Sequence, residues 1–415
     1  MSKKSSQLAV ILCLLLTTAA GAAQTVTHPF LGVTMYHETV TSPRTLSINV
    51  AEIDLSAPGI SFLVTPRGPS PQPVFNGVPE ETVTQTPRQF VNSSGAQLAV
   101  NATFFDISHI QTVNGLNWTT DLGLVASKGD VYSLWEPPPN NDNNYDDALN
   151  ITASNQASIV KMPSSVPTGH ETTPTVTLYN TVTGKNRLLT NGVVKAPSDC
   201  GSFCDLNPRT AAGLTSGNTK LLLMTIDGRE TGVSDGVTLV ELAGFMADYG
   251  ATNAINLDGG GSTQMAANYY DDGANAKLVN VPSEPERSVG TSLAVFALPN
   301  GDFNQNGVVD TGDYAVWRKS VGGQLGYTAW RSQYGAAGGI GSEIGDNVTV
   351  PEPEVSVLIG ILIVFGIVGL RTKKSGGDKP RRCCIKSSIT CRSTGRTRTD
   401  ADAVPSHRLR SSACS

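Results

Sequence analysis

The sequence predicts an α+β fold in which a mixed, strand-rich β-sheet domain carries few helices. Short apolar stretches alternate with turns from about residue 24 to residue 298, and 42 Gly and 24 Pro in 415 residues indicate many turns. Only TLVELAGFMADYG, at 238–250, has the spacing of an amphipathic helix. A small helical calcium-loop module and a C-terminal apolar helix are expected after this domain.

The first element is a secretory signal peptide at residues 1–23. Lys3 and Lys4 form a basic start, residues 8–16 are an apolar run, and the AGA at 20–22 has the small residues of a cleavage site. A buried helix of the mature fold is a poor alternative, because lysines lead the run and a cleavage site follows it. The sequence therefore predicts an exported protein.

The main domain is predicted at 24–298. Its strands are expected at 46–55, 96–105, 221–228 and 291–298. In the predicted helix, four apolar side chains share one face and a glycine follows as a natural stop. These residues are Leu239, Leu242, Met246, Tyr249 and Gly250. The polar, proline-led stretch 137–147 predicts a surface loop.

Charge and cysteine content narrow the classes of function. Residues 371–415 carry twelve Lys and Arg against three acids, whereas the formal net charge of the chain is −5, so the first 370 residues are acidic. An acidic main domain predicts no nucleic-acid partner. Cys200 and Cys204 are the cysteines of the exported domain. Outside the cytosol they predict a local disulfide, because no histidine lies nearby to suggest a metal site.

Charged residues concentrate at strand ends and at a helix start between residues 207 and 265. Asp227 and Asp258 each follow an apolar run, and Glu241 lies in the first turn of the predicted helix. Arg209 and Arg229 lie in the same part of the chain. Polar groups at such positions commonly meet on one rim of a sheet, so this set suits an anionic sugar substrate.

Each of these residues also has a purely structural interpretation. Asp227 before glycine is most often a turn, and Glu241 complements the helix dipole. Arg209 can pair with a neighbouring acid, and Asp258 can form an Asx-turn. A phosphate-binding loop of the G-x4-G-K-[ST] type is excluded, because no lysine lies near the glycines at 259–261. Because the residues occur together, we favour an active site.

The order NPRTAAG, DGR, S-x-G, ELA-x2-M and NLDGGGST-x-M resembles the phosphodiester glycosidase family. Further matching segments are AVNATFFD at 99–106, LLTNG at 188–192 and VNVPSEPERSVG at 279–290. The resemblance covers about residues 30–298. Ala102 is a departure, because the family usually has glycine after this asparagine.

The resemblance implies hydrolysis of a sugar-1-phosphodiester, of the alpha-N-acetylglucosamine type, at the anomeric C–O bond. It implies Asp258 close to the anomeric carbon, with Asp227 or Glu241 as the second carboxylate, and no cofactor for catalysis. The implied substrate-binding residues are Arg209, Arg229 and Arg287 for the phosphate, Asn101 and Ser262 for the sugar hydroxyls, and Gly259, Gly260 and Gly261 for close approach of the backbone. The alternatives are a non-catalytic glycan-binding surface protein on the same scaffold and a calcium-dependent scaffold protein.

After residue 298, GDFNQNGVVDTGDYAVW has the spacing of a calcium loop and predicts a small module at 299–340. The segment resembles dockerin-type loops, and a plain Asn/Gly turn is the alternative. A second Y-x2-W-R copy has no calcium loop, which argues against a cohesin partner and leaves a small structural module as the other interpretation. The predicted Ca²⁺ ligands are Asp302, Asn304, Asn306, Asp310 and Asp313, around a turn at Gly307.

The last segments predict attachment to the cell envelope. Residues 341–354 are a linker with Pro-Glu-Pro, 355–370 are an apolar helix, and 371–415 are a basic tail that we interpret as disordered. The Pro-Glu-Pro, helix and basic cluster resemble a PEP-CTERM sorting signal. That resemblance implies transient membrane attachment through 355–370 and processing by a sorting protease, with the protein in the cell envelope or outside the cell.

Overall fold

A computed structural model describes residues 22–135, 145–269, 275–320 and 324–337. All of them lie in the first of two compact units, Met1–Val350. The strands of the described residues are β1 Ala23–Phe30, β2 Val33–Val40, β3 Leu46–Asp54, β4 Ser61–Val64, β5 Val74–Phe75, β6 Val78–Pro79, β7 Thr82–Val83, β8 Leu98–Asn101, β9 Gln111–Val113, β10 Leu116–Thr119, β11 Val125–Ser127, β12 Asp130–Ser133, β13 Asp147–Ile151, β14 Ala157–Lys161, β15 Asn180–Gly184, β16 Arg187–Thr190, β17 Val193–Val194, β18 Arg209–Thr215, β19 Lys220–Ile226, β20 Ala251–Asn256, β21 Met265–Ala267, β22 Lys277–Leu278 and β23 Ser292–Phe296. The helices are α1 Pro87–Ser94, α2 Leu239–Asp248, α3 Thr311–Ser320 and α4 Gln324–Ser332.

Three antiparallel sheets form the main domain. The main sheet has eight strands in the order β1-β2-β3-β19-β18-β20-β16-β17. The second sheet has the order β22-β21-β8-β23-β4, and the third has the order β12-β11-β15-β13-β14. Two smaller sheets pair β7-β10-β9 and β5-β6. This strand-rich architecture with four described helices agrees with the predicted α+β class.

The largest hydrophobic core lies between the three sheets. Side chains alternate across the main sheet, so that Leu221 and Leu223 of β19 face this core, whereas Leu222 and Met224 face α2. On that outer side Leu242 of α2 is fully buried. Helix α1 covers the outer face of the second sheet in the same way. The domain is therefore layered from α2 through the main and second sheets to α1.

The four predicted strands are confirmed as β3, β8, β19 and β23, although β8 ends at Asn101 rather than at residue 105. The predicted helix is confirmed as α2, which Thr238 caps and which Gly250 follows at φ +91°. The predicted disulfide between Cys200 and Cys204 is present.

Several predicted segments lie outside the described residues. These are most of the signal peptide, all but three residues of the loop at 137–147, and the whole stretch from 338 onward, which includes the linker, the apolar helix and the tail. Among the residues that are described, no helix is long and apolar enough to cross a membrane. The described part of the small module contains helices α3 and α4. Val309 and Trp330 form its hydrophobic core.

Candidate active site

Asp258 lies where the main sheet meets the second sheet. It is the second residue after β20, and its N–H donates to the carbonyl of Ala102 at 2.9 Å. Its own carbonyl accepts from Asn101 Nδ2, at the end of β8, at 2.6 Å. Because both backbone groups of Asp258 bind residues at the end of the second sheet, the position of this aspartate is fixed by two sheets together.

The carboxyl group of Asp258 is largely buried, and the residue is 9% exposed. Burial raises its pKa to about 7, although hydrogen bonds from the Ser262 hydroxyl and the Gly259 N–H and the charge of Arg287 act in the opposite direction. The Gly259 N–H donates to Oδ1 at 2.9 Å. At neutral pH this carboxyl therefore populates both its neutral and its charged form, as a group that exchanges protons must.

The last of the three glycines lies against Arg287. A Cβ added at Gly261 would lie 2.4 Å from Nη2 of Arg287 and 2.4 Å from Oε1 of Glu284. These two side chains form an ion pair at 2.7 Å. A side chain at this position would have to displace the ion pair from the glycine segment.

The first two glycines lie against the other two arginines. A Cβ at Gly260, where φ is +60°, would lie 3.5 Å from the guanidinium of Arg229, and one at Gly259 would lie 3.9 Å from Cδ of Arg209. The structure therefore places the guanidinium groups of Arg229 and Arg287 beside the glycine segment that follows Asp258, whereas Arg209 approaches this segment through its backbone and its Cδ stem. We call these residues, 258–262 with Arg209, Arg229 and Arg287, the Asp258 rim.

Arg209 is buried and anchored by backbone carbonyls. Its Nη2 donates to Phe203 at 2.6 Å and to Asp205 at 2.9 Å, and its Nε donates to Val237 at 3.2 Å. Burial and the nearby charge of Arg229 lower the pKa of Arg209 to about 10. Neither arginine forms an ion pair with a carboxylate of the described residues. The rim thus holds positive charge that its own acids do not neutralise.

Asp227 is enclosed by hydrogen bonds. One carboxylate oxygen accepts from the Ser47 hydroxyl at 2.7 Å, and the other accepts from Asn280 Nδ2 at 2.8 Å. The Val281 N–H donates to both oxygens at 3.2 Å. Burial raises the pKa of Asp227, although these hydrogen bonds oppose the shift. With 1% exposure, this carboxylate binds β3 to the segment after β22.

Glu241 caps α2. Its carboxylate accepts from the N–H and the hydroxyl of Thr238, both at 2.9 Å, and pairs with Arg44 at 2.6 Å. Partial burial acts to raise the pKa of Glu241, but the hydrogen bonds from Arg44 and Thr238 together lower it. This geometry matches the structural interpretation of the residue at the start of a helix.

Asn101 and Ser262 are both buried. The Asn101 Oδ1 accepts from the Thr210 hydroxyl at 2.7 Å and from the Gln264 N–H at 3.0 Å, so this side chain joins β8, β18 and the glycine segment. The Ser262 hydroxyl accepts from Arg287 Nη1 at 3.4 Å. The predicted contacts of both residues with sugar hydroxyls stay predictions.

The structure also identifies residues that the sequence analysis missed. Phe203 lies against both Arg209 and Lys185, Glu284 pairs with Arg287, and Asn280 holds Asp227. Glu284 had a detectable signal, because it lies three residues before Arg287 in the matched segment VNVPSEPERSVG. Lys185 had none, because the sequence TGKN is typical of an exposed turn.

Two surface clefts among the described residues, beside Lys220 and beside Tyr249, contain none of the predicted site residues. Lys220 binds Glu52 at 2.6 Å, and the Tyr249 hydroxyl donates to Glu38 at 2.8 Å. Because unpaired charge marks a binding site better than cleft size does, the Asp258 rim remains the candidate site.

The loop at 302–313 is folded around two buried carboxylates, Asp302 and Asp313. Asp302 accepts from the N–H groups of Asn306 and Gly307 at 3.1 and 2.8 Å, and Asp313 accepts from those of Asn304 and Asp310 at 2.9 and 2.7 Å. In the described parts of the chain, no group of three or more His, Cys, Asp or Glu side chains is arranged to hold a metal.

Comparison with known proteins adds a family match. The phosphodiester glycosidase family model matches residues 94–296. The SPbeta prophage-derived uncharacterized protein YomE of Bacillus subtilis (strain 168) is 37% identical over 105 residues, which are 24% of this chain and 15% of that protein. The chain therefore spans about 15% of the length of this curated relative.

Solved structures give more distant likenesses. The catalytic domain of zebrafish N-acetylglucosamine-1-phosphodiester alpha-N-acetylglucosaminidase, auto-inhibited by its pro-peptide, is 20% identical at a TM-score of 0.44, over 66% of this chain and 88% of that one. A hypothetical protein from Synechocystis is 17% identical at a TM-score of 0.43, over 64% of this chain and 62% of that one. On the family match, residues 94–296, which contain the whole Asp258 rim, are similar to the phosphodiester glycosidases.

Proposed function

We propose that this protein is an exported hydrolase that cleaves a sugar-1-phosphodiester, of the alpha-N-acetylglucosamine type, at the anomeric C–O bond. One observation carries the proposal: Arg209, Arg229 and Arg287 border the three glycines that follow Asp258. The match of residues 94–296 to the phosphodiester glycosidase family supports the reaction class.

The phosphate is the group that the arginines would hold. Guanidinium groups bind phosphate oxygens in a bidentate manner, and they stabilise the charge that grows on the leaving oxygen as the C–O bond breaks. The glycines have no side chains, so the phosphate can reach the N–H groups of this segment. A phosphate monoester is a good leaving group and needs little help from a general acid.

Asp258 would act at the anomeric carbon. The C1–O bond breaks with its electron pair going to the phosphate oxygen, a hydroxyl group from water is added to C1, and the remaining proton of that water is released. Asp258 either attacks C1 first or takes the proton from the water, and both routes give this same balance. Water is the one co-reactant, and the reaction needs no cofactor.

Asp227 and Glu241 would support the site from outside the reacting atoms. The oxygens of Asp227 accept from three protein groups, and Glu241 is held by Arg44 and Thr238. The role of either residue as the second catalytic carboxylate stays a prediction.

The test is sugar release by the full chain from alpha-N-acetylglucosamine-1-(methyl phosphate). We expect release by the wild type, loss of release in Asp258→Asn, and unchanged release in the control Asp248→Asn, since Asp248 is exposed at the end of α2. A protein that binds this compound equally well with and without Asp258→Asn, and releases no sugar, would instead be the non-catalytic glycan-binding protein.

We also propose that the protein is exported and attached to the cell envelope, on the basis of the sequence segments 1–23 and 355–370. Cell fractionation with an antibody against the main domain tests this placement. Recovery of the uncleaved chain from the cytoplasm would contradict it.

A separate proposal is that the loop at 302–313 binds Ca²⁺. Asp302 and Asp313 are buried carboxylates without an ion-pair partner among the described residues, and oxygen-rich loops of this kind suit Ca²⁺. The Trp330 indole donates to the Asp310 carbonyl at 2.7 Å, so its fluorescence should report binding. We expect Ca²⁺ to change this signal and Asp302→Ala to weaken the response, and an unchanged affinity would reject the site.

A further inference from the structure

An aromatic wall, formed by Phe104, Tyr145 and Phe203, lies next to the Asp258 rim. The ring centroids of Phe104 and Tyr145 are 5.4 Å apart, and those of Phe104 and Phe203 are 6.1 Å apart. Arg209 Cζ lies 5.3 Å from the Phe203 centroid. The wall therefore lies against Arg209, one of the residues of the Asp258 rim.

Lys185 adds a fourth cation on this wall. Its Nζ lies 4.5 Å from the Phe203 centroid and 5.2 Å from that of Tyr145, within the range of cation–π attraction. Arg209 and Lys185 thus share the ring of Phe203. No carboxylate of the described residues forms an ion pair with Lys185, and burial lowers its pKa. A half-buried cation without an acid partner favours the approach of an anion.

The backbone fixes Lys185 relative to Asp258. The Lys185 N–H donates to the Asn256 carbonyl at 2.8 Å, and Asn256 Nδ2 donates back to the Lys185 carbonyl at 3.2 Å. Asn256 precedes Asp258 by two residues in the same strand end. The disulfide between Cys200 and Cys204 closes the turn that carries Phe203. The backbone of Lys185 and the turn that carries Phe203 are therefore already fixed before a ligand binds.

We infer that Lys185 and the aromatic wall form the subsite for the leaving group, and that this subsite favours a leaving group with a second phosphate. The preferred substrate class is then a sugar whose C1 carries a diphosphate ester. Arg229 and Arg287 of the rim hold the phosphate attached to C1, Lys185 binds the next phosphate, and the half-buried rings of Phe104 and Phe203 contact the group beyond it. This inference rests on the function proposed above.

The test compares two substrates with the same sugar and the same scissile bond. These are alpha-N-acetylglucosamine-1-(methyl phosphate) and the methyl ester of alpha-N-acetylglucosamine-1-diphosphate. We expect the full-length wild type to prefer the diphosphate in kcat/KM, and Lys185→Met to lower that preference by about tenfold, since one charge-assisted hydrogen bond is lost. Lys185→Arg should keep most of the preference. The control Lys195→Met, at an exposed lysine, should leave the preference unchanged.

A binding measurement separates the two proposals. We expect the wild type to bind inorganic pyrophosphate more tightly than inorganic phosphate, and Lys185→Met to lose the difference. Sugar release with equal preference in wild type and Lys185→Met would overturn the subsite and leave the proposed function intact. Tighter, Lys185-dependent binding of pyrophosphate without any sugar release would support the subsite and overturn the proposed function.

Discussion

The ends of β19 and β20 each present an aspartate followed by glycine, and the fold places the two in opposite settings. Asp227, after β19, accepts hydrogen bonds from Ser47, Asn280 and Val281, so that both its oxygens are occupied. Asp258, after β20, accepts from its neighbouring loop, and the three glycines that follow it lie beside three arginines. Long-range partners, rather than the Asp-Gly pair itself, therefore decide which of the two carboxylates has both oxygens bound by distant parts of the chain.

The largest effect on activity is expected when Asp258 is replaced by asparagine. We expect kcat for sugar release to fall by about a thousandfold or more, because a carboxylate at the reacting carbon is lost. The fold should be kept, because the backbone bonds of residue 258 do not depend on its side chain. Steady-state kinetics and circular dichroism measure the two effects, and activity within tenfold of wild type would remove Asp258 from the reaction.

Asp227→Asn should give the opposite pattern. We expect the free energy of unfolding to fall by about 3 kcal/mol, because an amide nitrogen would face a buried donor where an oxygen now accepts. Activity per folded molecule should stay within a few-fold of wild type. Chemical denaturation and kinetics on the same sample provide the measurement. Wild-type stability combined with a loss of activity like that of Asp258→Asn would make Asp227 the second catalytic carboxylate.

The smallest effect is expected in the pH dependence of the free energy of unfolding. Because folding raises the pKa of Asp258 to about 7, the folded state holds a proton that the unfolded chain releases at lower pH, so stability is lost as pH rises toward 7. Asp121 and Glu81, with pKa values raised by burial to about 7 and about 8, act in the same direction.

Asp258→Asn should therefore lose less stability than the wild type between pH 5 and pH 8, by an amount on the order of 2 kcal/mol. Urea denaturation at the two pH values measures the difference, and Asp121 and Glu81 contribute equally to both proteins. Parallel pH profiles would mean that Asp258 is charged in the folded protein throughout this range.

Local patterns in the sequence were enough to predict the strands and α2. A period-two pattern identified β3, a continuous apolar run identified β19 and the 3.6-residue period identified α2, because these patterns depend on neighbouring residues alone. The end of β8 was misplaced, because Ala102 leaves the strand to bind Thr291 and Asp258, which lie far along the chain. Sequence spacing could not show that contact.

The charged set was predicted as a group but not in its detail. The structure brings the three predicted arginines to the glycine segment, and their role in binding phosphate stays a prediction. Glu241, however, is held by Arg44, and Asp227 by Ser47, and neither partner is near in sequence. Lys185 was missed because only the folded chain brings it over the ring of Phe203. Contacts between residues distant in sequence were therefore the part of the candidate site that the sequence could not predict.

The attachment of Asp258 to two sheets has a mechanical consequence. Its N–H and carbonyl both bind the end of β8, while Leu257 donates to Thr210 of β18. Any change in the spacing of the two sheets must move the carboxylate relative to the arginine on β18. The side chains packed between the two sheets therefore set the distance between the Asp258 carboxylate and Arg209 in the candidate site. Enlarging or shrinking a side chain there, out of reach of any ligand, should change turnover before it unfolds the protein.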